Sequence, residues 1–398
     1  YGYMRPNGKA GARNYVLLLP VNRSLNFIAS NVERMTRNTR HFEIPAETGR
    51  TEVDREVIAR TLIGLMNNAN VGGIVLLAVK SGAGSAYKNM CAERFEEEAR
   101  KTGKPFRIVY LTNVGGSYNM LGETLRLTRE VLLEVSDFRR ENCPLSALTL
   151  GVKCGTSDAT SGIAGNPCVG AAFDQLIRAG GTAFFSETTE IIGAEDLVAK
   201  RAVNESVAKK ILSAAKHWED KAKATGEDIR KINPIPANIA AGISSLEEKS
   251  LGAIAKSGTS PIQDVLKYAE MPKGSGLYFV DSWMSSLSLP LCLTACGATI
   301  MLYQMGGGKI AQHPMMPSIN PTVVSPFLYL TGNAIAYSRA PDNFDFDASP
   351  IMTEGASIPE MGTKLLEHLS AIASGTMTKM ETLNYAEQLE LYMEGPVL

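Results

Sequence analysis

No stretch of the 398 residues reaches the roughly 18 consecutive apolar residues that a membrane-spanning helix needs, and no signal peptide opens the chain. A membrane partner is therefore not expected. The cysteines number only six (Cys91, Cys143, Cys154, Cys168, Cys292, Cys296) and are irregularly spaced, which argues against a disulfide framework and for a reduced, cytoplasmic setting. Neither sign of charge dominates: 40 Lys and Arg stand against 41 Asp and Glu, so the basic excess of a general nucleic-acid binder is missing. A small anionic ligand would have to be met by a few placed cations. No internal repeat, low-complexity tract or GxGxxG fingerprint is present.

What the chain does have is strands alternating with helices. The clearest unit runs from Leu150 to Asp196, where apolar stretches at Ala147–Val152 and Thr182–Ser186 are each followed by a loop rich in Gly, Ser, Thr and acidic residues. Between them, Asn166-Pro167 reads as an N-cap with proline at the first helical position, and Gly180-Gly181 as a helix stop. That is a βαβ unit. Ligands of open parallel sheets sit outside the carboxyl ends of the strands, which here carry Lys153, Cys154, Ser157 and Asp158 from one loop and Glu187, Thr188 and Glu190 from the other.

The amino-terminal half repeats the alternation. Strands are expected at Asn14–Pro20, Phe42–Pro45, Val71–Val79 and Phe106–Leu111, with helices beginning near Asn26 and covering Arg55–Asn67, Ala86–Thr102 and Leu121–Val135. The fold class is thus α/β: a Rossmann-like parallel-sheet domain over residues 1–142, then a larger α/β domain over residues 143–398, divided at the polar, proline-ended stretch Asp137–Pro144. Arg23 falls at the first strand's end, as a ligand or a solvated loop residue, and Lys80–Gly84 follows the third strand.

In the second domain, Asp196–Lys231 reads as a long, solvated helix or helix pair. Ser245 and Glu248 have capping-box spacing, so Glu248 is open between a cap and an acid, while Lys249 and Lys256 share the following helix close to the Gly-rich loop Ser257–Ser260. A strand at Gly276–Asp281, a helix at Leu291–Gly297 and a strand at Ala298–Met301 lead to Gln304–Gly308, Lys309 and His313. Glycines there let main-chain amides approach a ligand, and His313 is open between a binding and a structural role. Helices at Pro359–Gly375 and Glu381–Met393 would close the chain.

Four phrases carry a family resemblance: RPNGKAGARNYVLLLP at Arg5–Pro20, LGVKCGTSDATSGIAGNP at Leu150–Pro167, AGGTAFFSETTEIIGAEDL at Ala179–Leu197, and NPIPANIAAGISSLEEKSLGAIAKSGTSPIQDVL at Asn233–Leu266. With ACGATIMLYQMGGGK further on, they resemble the altronate and galactarate dehydratases over most of the chain, in the same order. The resemblance implies a lyase that eliminates water from a sugar acid, or sulfite where the relative is the large subunit of a sulfolactate sulfo-lyase, to give a 2-keto acid. It also implies a divalent metal, commonly Fe(II), a small anionic hydroxy-acid substrate, and an oligomer. A small SAF domain, fused to this body in the dehydratases and a separate subunit in the sulfo-lyase, is the expected protein partner.

The sequence departs from that pattern in the first domain. Where the family's dehydratases carry a cysteine, a His-containing Gly-Cys motif and Gly-Cys-Glu, it reads Asn22-Arg23-Ser24, Thr48-Gly49-Arg50 and Lys80-Ser81-Gly82. Cationic side chains replace soft and imidazole ligands, which counts against iron at those places and suggests a pocket for a strongly ionised group. Cys154 is left open between metal ligand and small buried thiol. By this resemblance Asp158 or Glu187 is the candidate base, Lys153 and Lys249 hold the reacting carboxylate, and Arg23, Arg50 and Lys80 hold a distal anion. Ser157, Glu190, Lys309 and His313 complete the candidate substrate contacts. The rival reading is a member of the family that has lost its metal site and binds an anionic acid, or serves as a subunit, without turnover.

Overall fold

The computed structural model describes residues 1–80, 87–307, 319–383, 386 and 390–396. Within them lie two parallel sheets. Strands β1 (Tyr15–Pro20), β2 (Thr39–His41), β3 (Val71–Ala78) and β4 (Phe106–Tyr110) form the first, in the order β2-β1-β3-β4. Helices α1 (Asn26–Met35), α2 (Glu52–Asn67), α3 (Ala92–Lys101) and α4 (Ser117–Ser136) connect and cover them. Every residue of β3 is buried, as befits a strand sandwiched between helix layers. The strand order reverses between β1 and β3, so the crevice of this sheet opens at Val21–Arg23 and Val79–Lys80.

The second sheet contains β5 (Thr149–Gly155), β6 (Thr182–Phe185), β7 (Ile262–Leu266), β8 (Gly276–Val280), β9 (Ile300–Met305), β10 (Phe327–Thr331) and β11 (Phe346–Asp347). Their order is β11-β10-β9-β5-β6-β8-β7, all parallel. Helices α5 (Asn166–Arg178), α6 (Thr188–Ile191), α7 (Glu205–Lys223), α8 (Leu246–Ile254), α9 (Ser288–Ala295) and α10 (Ile358–Ala373) surround it. The order reverses between β5 and β9, which puts this sheet's crevice at Gly155–Asp158 and Gly306–Gly307.

One apolar cluster joins the sheets: Leu17, Phe42, Leu62 and Ile74 from the first pack with Leu293, Met301, Tyr303 and Phe327 from the second. At this seam α2 touches α9 so closely that a Cβ on Gly64 would lie 2.2 Å from the Ala295 carbonyl oxygen. The Asn68 amide donates to the carbonyls of Thr294 and Ala298, both at 2.9 Å, and Asn70 donates to Thr299 O at 2.8 Å while accepting from the amide of Ala12 at 2.8 Å. At the opposite pole the carboxyl-terminal stretch crosses between the sheets. Tyr392 packs among Trp218, Tyr268 and Trp283, and the amides of Glu394 and Gly395 donate to the buried carboxylate of Asp54 at 2.6 and 3.1 Å.

Several boundaries differ from the sequence expectation. The second strand is Thr39–His41 rather than Phe42–Pro45, because Phe42 and Ile44 leave the ladder and turn into the apolar seam. Asn166 is not a cap: a π-helical turn, Ser161–Gly165, runs straight into α5, Asn166 is itself helical, and its side chain donates to Gly252 O at 2.8 Å. Asp196–Lys231 breaks into short helices around α7. Among the described residues, Glu390–Met393 is not helical, since Tyr392 is drawn into the aromatic cluster. Strands β7 and β10 are additions to the sequence expectation; each is only five residues long, and the polar Gln263 and Asp264 interrupt the apolar run of β7.

Candidate active site

The carboxyl ends of β5 and β6 bring an unusual set of ionisable groups together. Lys153, Cys154, Glu187, Glu190, Lys249 and Lys256 are all buried, at 5% exposure or less. Alternation along β5 sends Lys153 to the face carrying Tyr303, whose ring centre is 5.6 Å from the ammonium, and Cys154 to the opposite face. Glu187 straddles the strand end between them. Its backbone is left-handed, with φ 74°, an uncommon conformation for a non-glycine residue, and Thr156 in the neighbouring loop has φ 50°.

Glu187 is the hub. Lys153 Nζ lies 2.9 Å from Oε1, outside hydrogen-bonding geometry, while Lys256 Nζ and, at 3.1 Å, the Cys154 amide both donate to Oε2. Lys256 Nζ is also 3.0 Å from Cys154 Sγ. Burial alone would raise the Glu187 carboxyl, but Lys153 and Lys256 outweigh it and hold the group at about 2. The partners respond in kind. Burial opposes the charge on Lys153 and Lys256, yet Glu187, with Cys154 acting on Lys256, pushes both above the ordinary lysine value. Burial, reinforced by Glu187, pushes the Cys154 thiol up to about 12. At neutral pH the thiol is uncharged, and the side chains of Lys153, Lys256 and Lys249 stand against those of Glu187 and Glu190.

Lys249, on α8, extends the cluster towards solvent. Its Nζ donates to Asn233 Oδ1 at 2.6 Å and Asn238 Oδ1 at 3.1 Å and lies 3.6 Å from Glu190 Oε1. Asn238 in turn donates to Ser157 O at 3.0 Å. A pocket of about 250 Å³ opens here, lined by Ser157, Asp158, Ser161, Asn166, Glu248 and Lys249. Asp158 accepts from Thr160 Oγ1 at 2.6 Å, Ser161 N at 3.0 Å and Asn333 Nδ2 at 2.9 Å, so its carboxylate is fixed against the pocket wall. A side chain on Gly306 would come within 2.7 Å of Asp158 Cγ, and only glycine lets β9 end this close.

Cys154, Glu187 and Glu190 form a buried group that could hold a metal: one ligand atom from each lies within 4.8 Å of the others. A thiolate with two carboxylates is a mixed soft and hard donor set, suited to a borderline divalent ion and leaving coordination positions open. Polar capacity is left over beside it. Gln304, the ladder partner of Cys154 on β9, is fully buried, and neither of its amide atoms has a hydrogen-bond partner among the described residues.

The structure thus brings together Lys153, Cys154, Glu187 and Glu190, with Lys249, Ser157 and Asp158 beside them. It does not bring Arg23, Arg50 and Lys80 to this cluster. Arg23 and Lys80 sit exposed at the crevice of the first sheet and Arg50 half-buried in the loop before α2; none of the three makes an ion pair among the described residues. Lys309 and His313 lie outside the described residues. Glu248 is a cap, its amide donating to Ser245 Oγ at 3.2 Å and its carboxylate accepting from Ser244 N at 2.7 Å. The sequence sets Lys256 with Lys249 near the Gly-rich loop, within reach of an anion there, and does not mark Asn233, Asn238 or Asn333. The seven-residue spacing of Lys249 and Lys256, two helical turns on one stripe, was the available signal for bringing Lys256 into the cluster. Nothing local marked the asparagines, which converge from distant segments. All six cysteines are free.

Comparison with known proteins now bears on this cluster. The family described as D-galactarate/altronate dehydratase, C-terminal, matches residues 145–396, and the D-galactarate dehydratase/altronate hydrolase second domain matches residues 2–136. The chain belongs to the galactarate and altronate dehydratase family. Among its relatives, a (2R)-sulfolactate sulfo-lyase subunit beta of Chromohalobacter salexigens is 32% identical over 97% of this chain and 95% of its own length. An altronate dehydratase of Bacillus subtilis is 29% identical over 100% of this chain and 78% of its own. A galactarate dehydratase (L-threo-forming) of Escherichia coli is 34% identical over 71% of this chain and 52% of its own. With its family the chain falls among the lyases. No helix among the described residues is long and apolar enough to cross a membrane.

Proposed function

We propose that this lyase eliminates water or sulfite from a small 2-hydroxy acid to give a 2-keto acid, with the chemistry at the ends of β5 and β6. In such a step a base takes the proton from C2, the C–H electron pair forms the C2–C3 double bond, and the C3 substituent leaves with its own pair. The resulting enol then takes a proton at C3 and becomes the keto acid. The developing enediolate is doubly charged, so the chief demand on the protein is fixed positive charge.

The observation that carries this reading is the surplus ammonium of the buried cluster, next to a pocket of about 250 Å³ whose wall includes Lys249 and Asp158. Lys249 pairs with the substrate carboxylate, and Lys153 adds positive charge behind it. Asp158 is the better-placed proton acceptor. Glu187, held at about 2 by two lysines, is a poor base and instead fixes those lysines where charge develops. The fixed positions of Lys153, Asp158, Glu187 and Lys249 favour turnover over the binding-only reading. Arg23, Arg50 and Lys80 act on the encounter, drawing an anionic substrate towards the protein.

A divalent metal bound by Cys154, Glu187 and Glu190, Fe(II) on the family's pattern, would supply a Lewis acid for a substrate oxygen. The relative named as a beta subunit supports a further subunit as partner, which we take to be a separate small SAF-domain chain. The test is release of 2-keto acid from sulfolactate, altronate and galactarate, anaerobically, with Fe(II) and a small SAF-domain protein supplied. Lys249→Met and Asp158→Asn are each expected to lower kcat/KM by about 10²-fold or more. Turnover on none of the three acids, or full activity in both variants, would overturn the reading.

A further inference from the structure

We propose that Lys256 is a resident competitor for the metal position, so that the site is occupied by its ammonium or by a divalent metal but never by both. The donors that could hold a metal are Cys154 Sγ and carboxylate oxygens of Glu187 and Glu190, clustered within 4.8 Å. Lys256 Nζ already reaches two of these residues, lying 3.0 Å from Sγ and bonded to Glu187 Oε2, with its side chain 2% exposed. Metal–oxygen and metal–sulfur bonds are about 2.0–2.3 Å long, so an ion bound to Sγ and Glu187 Oε2 would compete with Nζ for the same pair of atoms at close range. Two cations at that separation in a buried site repel strongly, and the ammonium must leave when the metal enters.

Lys256 has the means to leave. It stands on the short turn Ala255–Ser257 that follows α8, ahead of Gly258 with φ 66°, and its stem carries the charge on four rotatable carbons. Lys153 cannot substitute, because it approaches the other oxygen of Glu187 from the opposite face of β5. Selectivity follows from the exchange. A hard ion gains little from the sulfur and would meet the full cost of displacing the ammonium, whereas a thiophilic ion is compensated by its bond to Cys154. The site therefore rejects magnesium and calcium and admits ions such as ferrous iron, cobalt or zinc.

This inference does not depend on the lyase reading, since it is tested by binding rather than turnover. The full chain, kept anaerobic, would be titrated with Co²⁺ while the near-ultraviolet charge-transfer band from thiolate to cobalt is followed. Lys256→Met should bind Co²⁺ at least ~10-fold more tightly than the native protein with the same band, an order-of-magnitude expectation for removing one competing buried cation. The band should vanish when Cys154→Ser is added, and excess Mg²⁺ should not displace Co²⁺ from the native protein. Equal or weaker affinity in Lys256→Met, a band that survives without Cys154, or no band in either protein would overturn the proposal.

Should circular dichroism show that Lys256→Met does not fold, the native protein still decides. Amine-acylation footprinting by mass spectrometry should find Lys256 more reactive with Co²⁺ bound than without. Unchanged reactivity under saturating Co²⁺ would contradict the exchange.

Discussion

The two sheets end in the same way and use their ends differently. At the crevice of the four-stranded sheet, Arg23 and Lys80 stand in solvent, with no ion pair among the described residues. At the ends of β5 and β6, Lys153 and Lys256 are buried and each pairs with Glu187, while Lys249 lies near Glu190. Position on a parallel sheet nominates a site, but it does not say whether the charge there is available or already committed. An exposed cation interacts weakly with everything and is screened by salt, whereas a buried, paired one acts strongly within a fixed geometry.

Breaking the hub should erase the difference most completely. Glu187→Gln leaves two buried ammonium groups without their shared carboxylate, and is expected to cost about 3–5 kcal/mol of stability. It should also lower keto-acid release by about 10²-fold or more as the lysines lose their positions. Denaturant midpoints and single-turnover rates would check both. A variant as stable as the native protein would show that the ion pairs are not holding the strand ends.

Acid should act on the end of the second sheet through Glu187. Because the Glu187 carboxyl is held at about 2, below its ordinary 4.5, its contribution is complete above about pH 4.5 and drains away as the pH falls towards 2. Thermal midpoints should therefore drop on acidification below 4.5, more steeply in the native protein than in Glu187→Gln. Parallel profiles for the two proteins would exclude Glu187 as the source.

The smallest effect belongs to the exposed cations. The combined variant Arg23→Gln, Arg50→Gln, Lys80→Gln should lose about 3–10-fold in kcat/KM at low ionic strength, a loss that fades at high salt, with kcat unchanged. Its stability should stay within about 0.5 kcal/mol of the native value. A large fall in kcat that salt does not relieve would place these residues in direct contact with the reacting acid, and the contrast between the two sheet ends would fail.

The sequence made the α/β class and the β5–β6 loops legible, because Lys153, Cys154, Asp158, Glu187 and Glu190 all lie at or just beyond the carboxyl ends of buried strands within one βαβ unit. It concealed how charge is shared among them. Glu187 and Asp158 look alike in the sequence as acids after strands, and both are buried; their partners separate them: one is locked by two lysines, the other fixed by hydroxyl and amide donors beside a pocket. Lys256 is expected beside the Gly-rich loop and not inside the cluster, because a lysine on a helix is usually solvated; here the turn that ends α8 rotates it inward. The cationic substitutions in the first domain drew attention by their departure from the family, yet a departure marks a changed environment without fixing its new role.

The asparagines at the seam carry one more consequence. Asn68 and Asn70 spend their side-chain amide groups on the main chain of the other half, and the apolar cluster around Leu62 and Leu293 belongs to neither sheet alone. If one half were to unfold, the other would lose the amide donors that reach Thr294, Ala298 and Thr299 and would expose an apolar face. The two sheets are thus one cooperative unit, expected to melt in a single calorimetric transition whose van't Hoff and measured enthalpies agree.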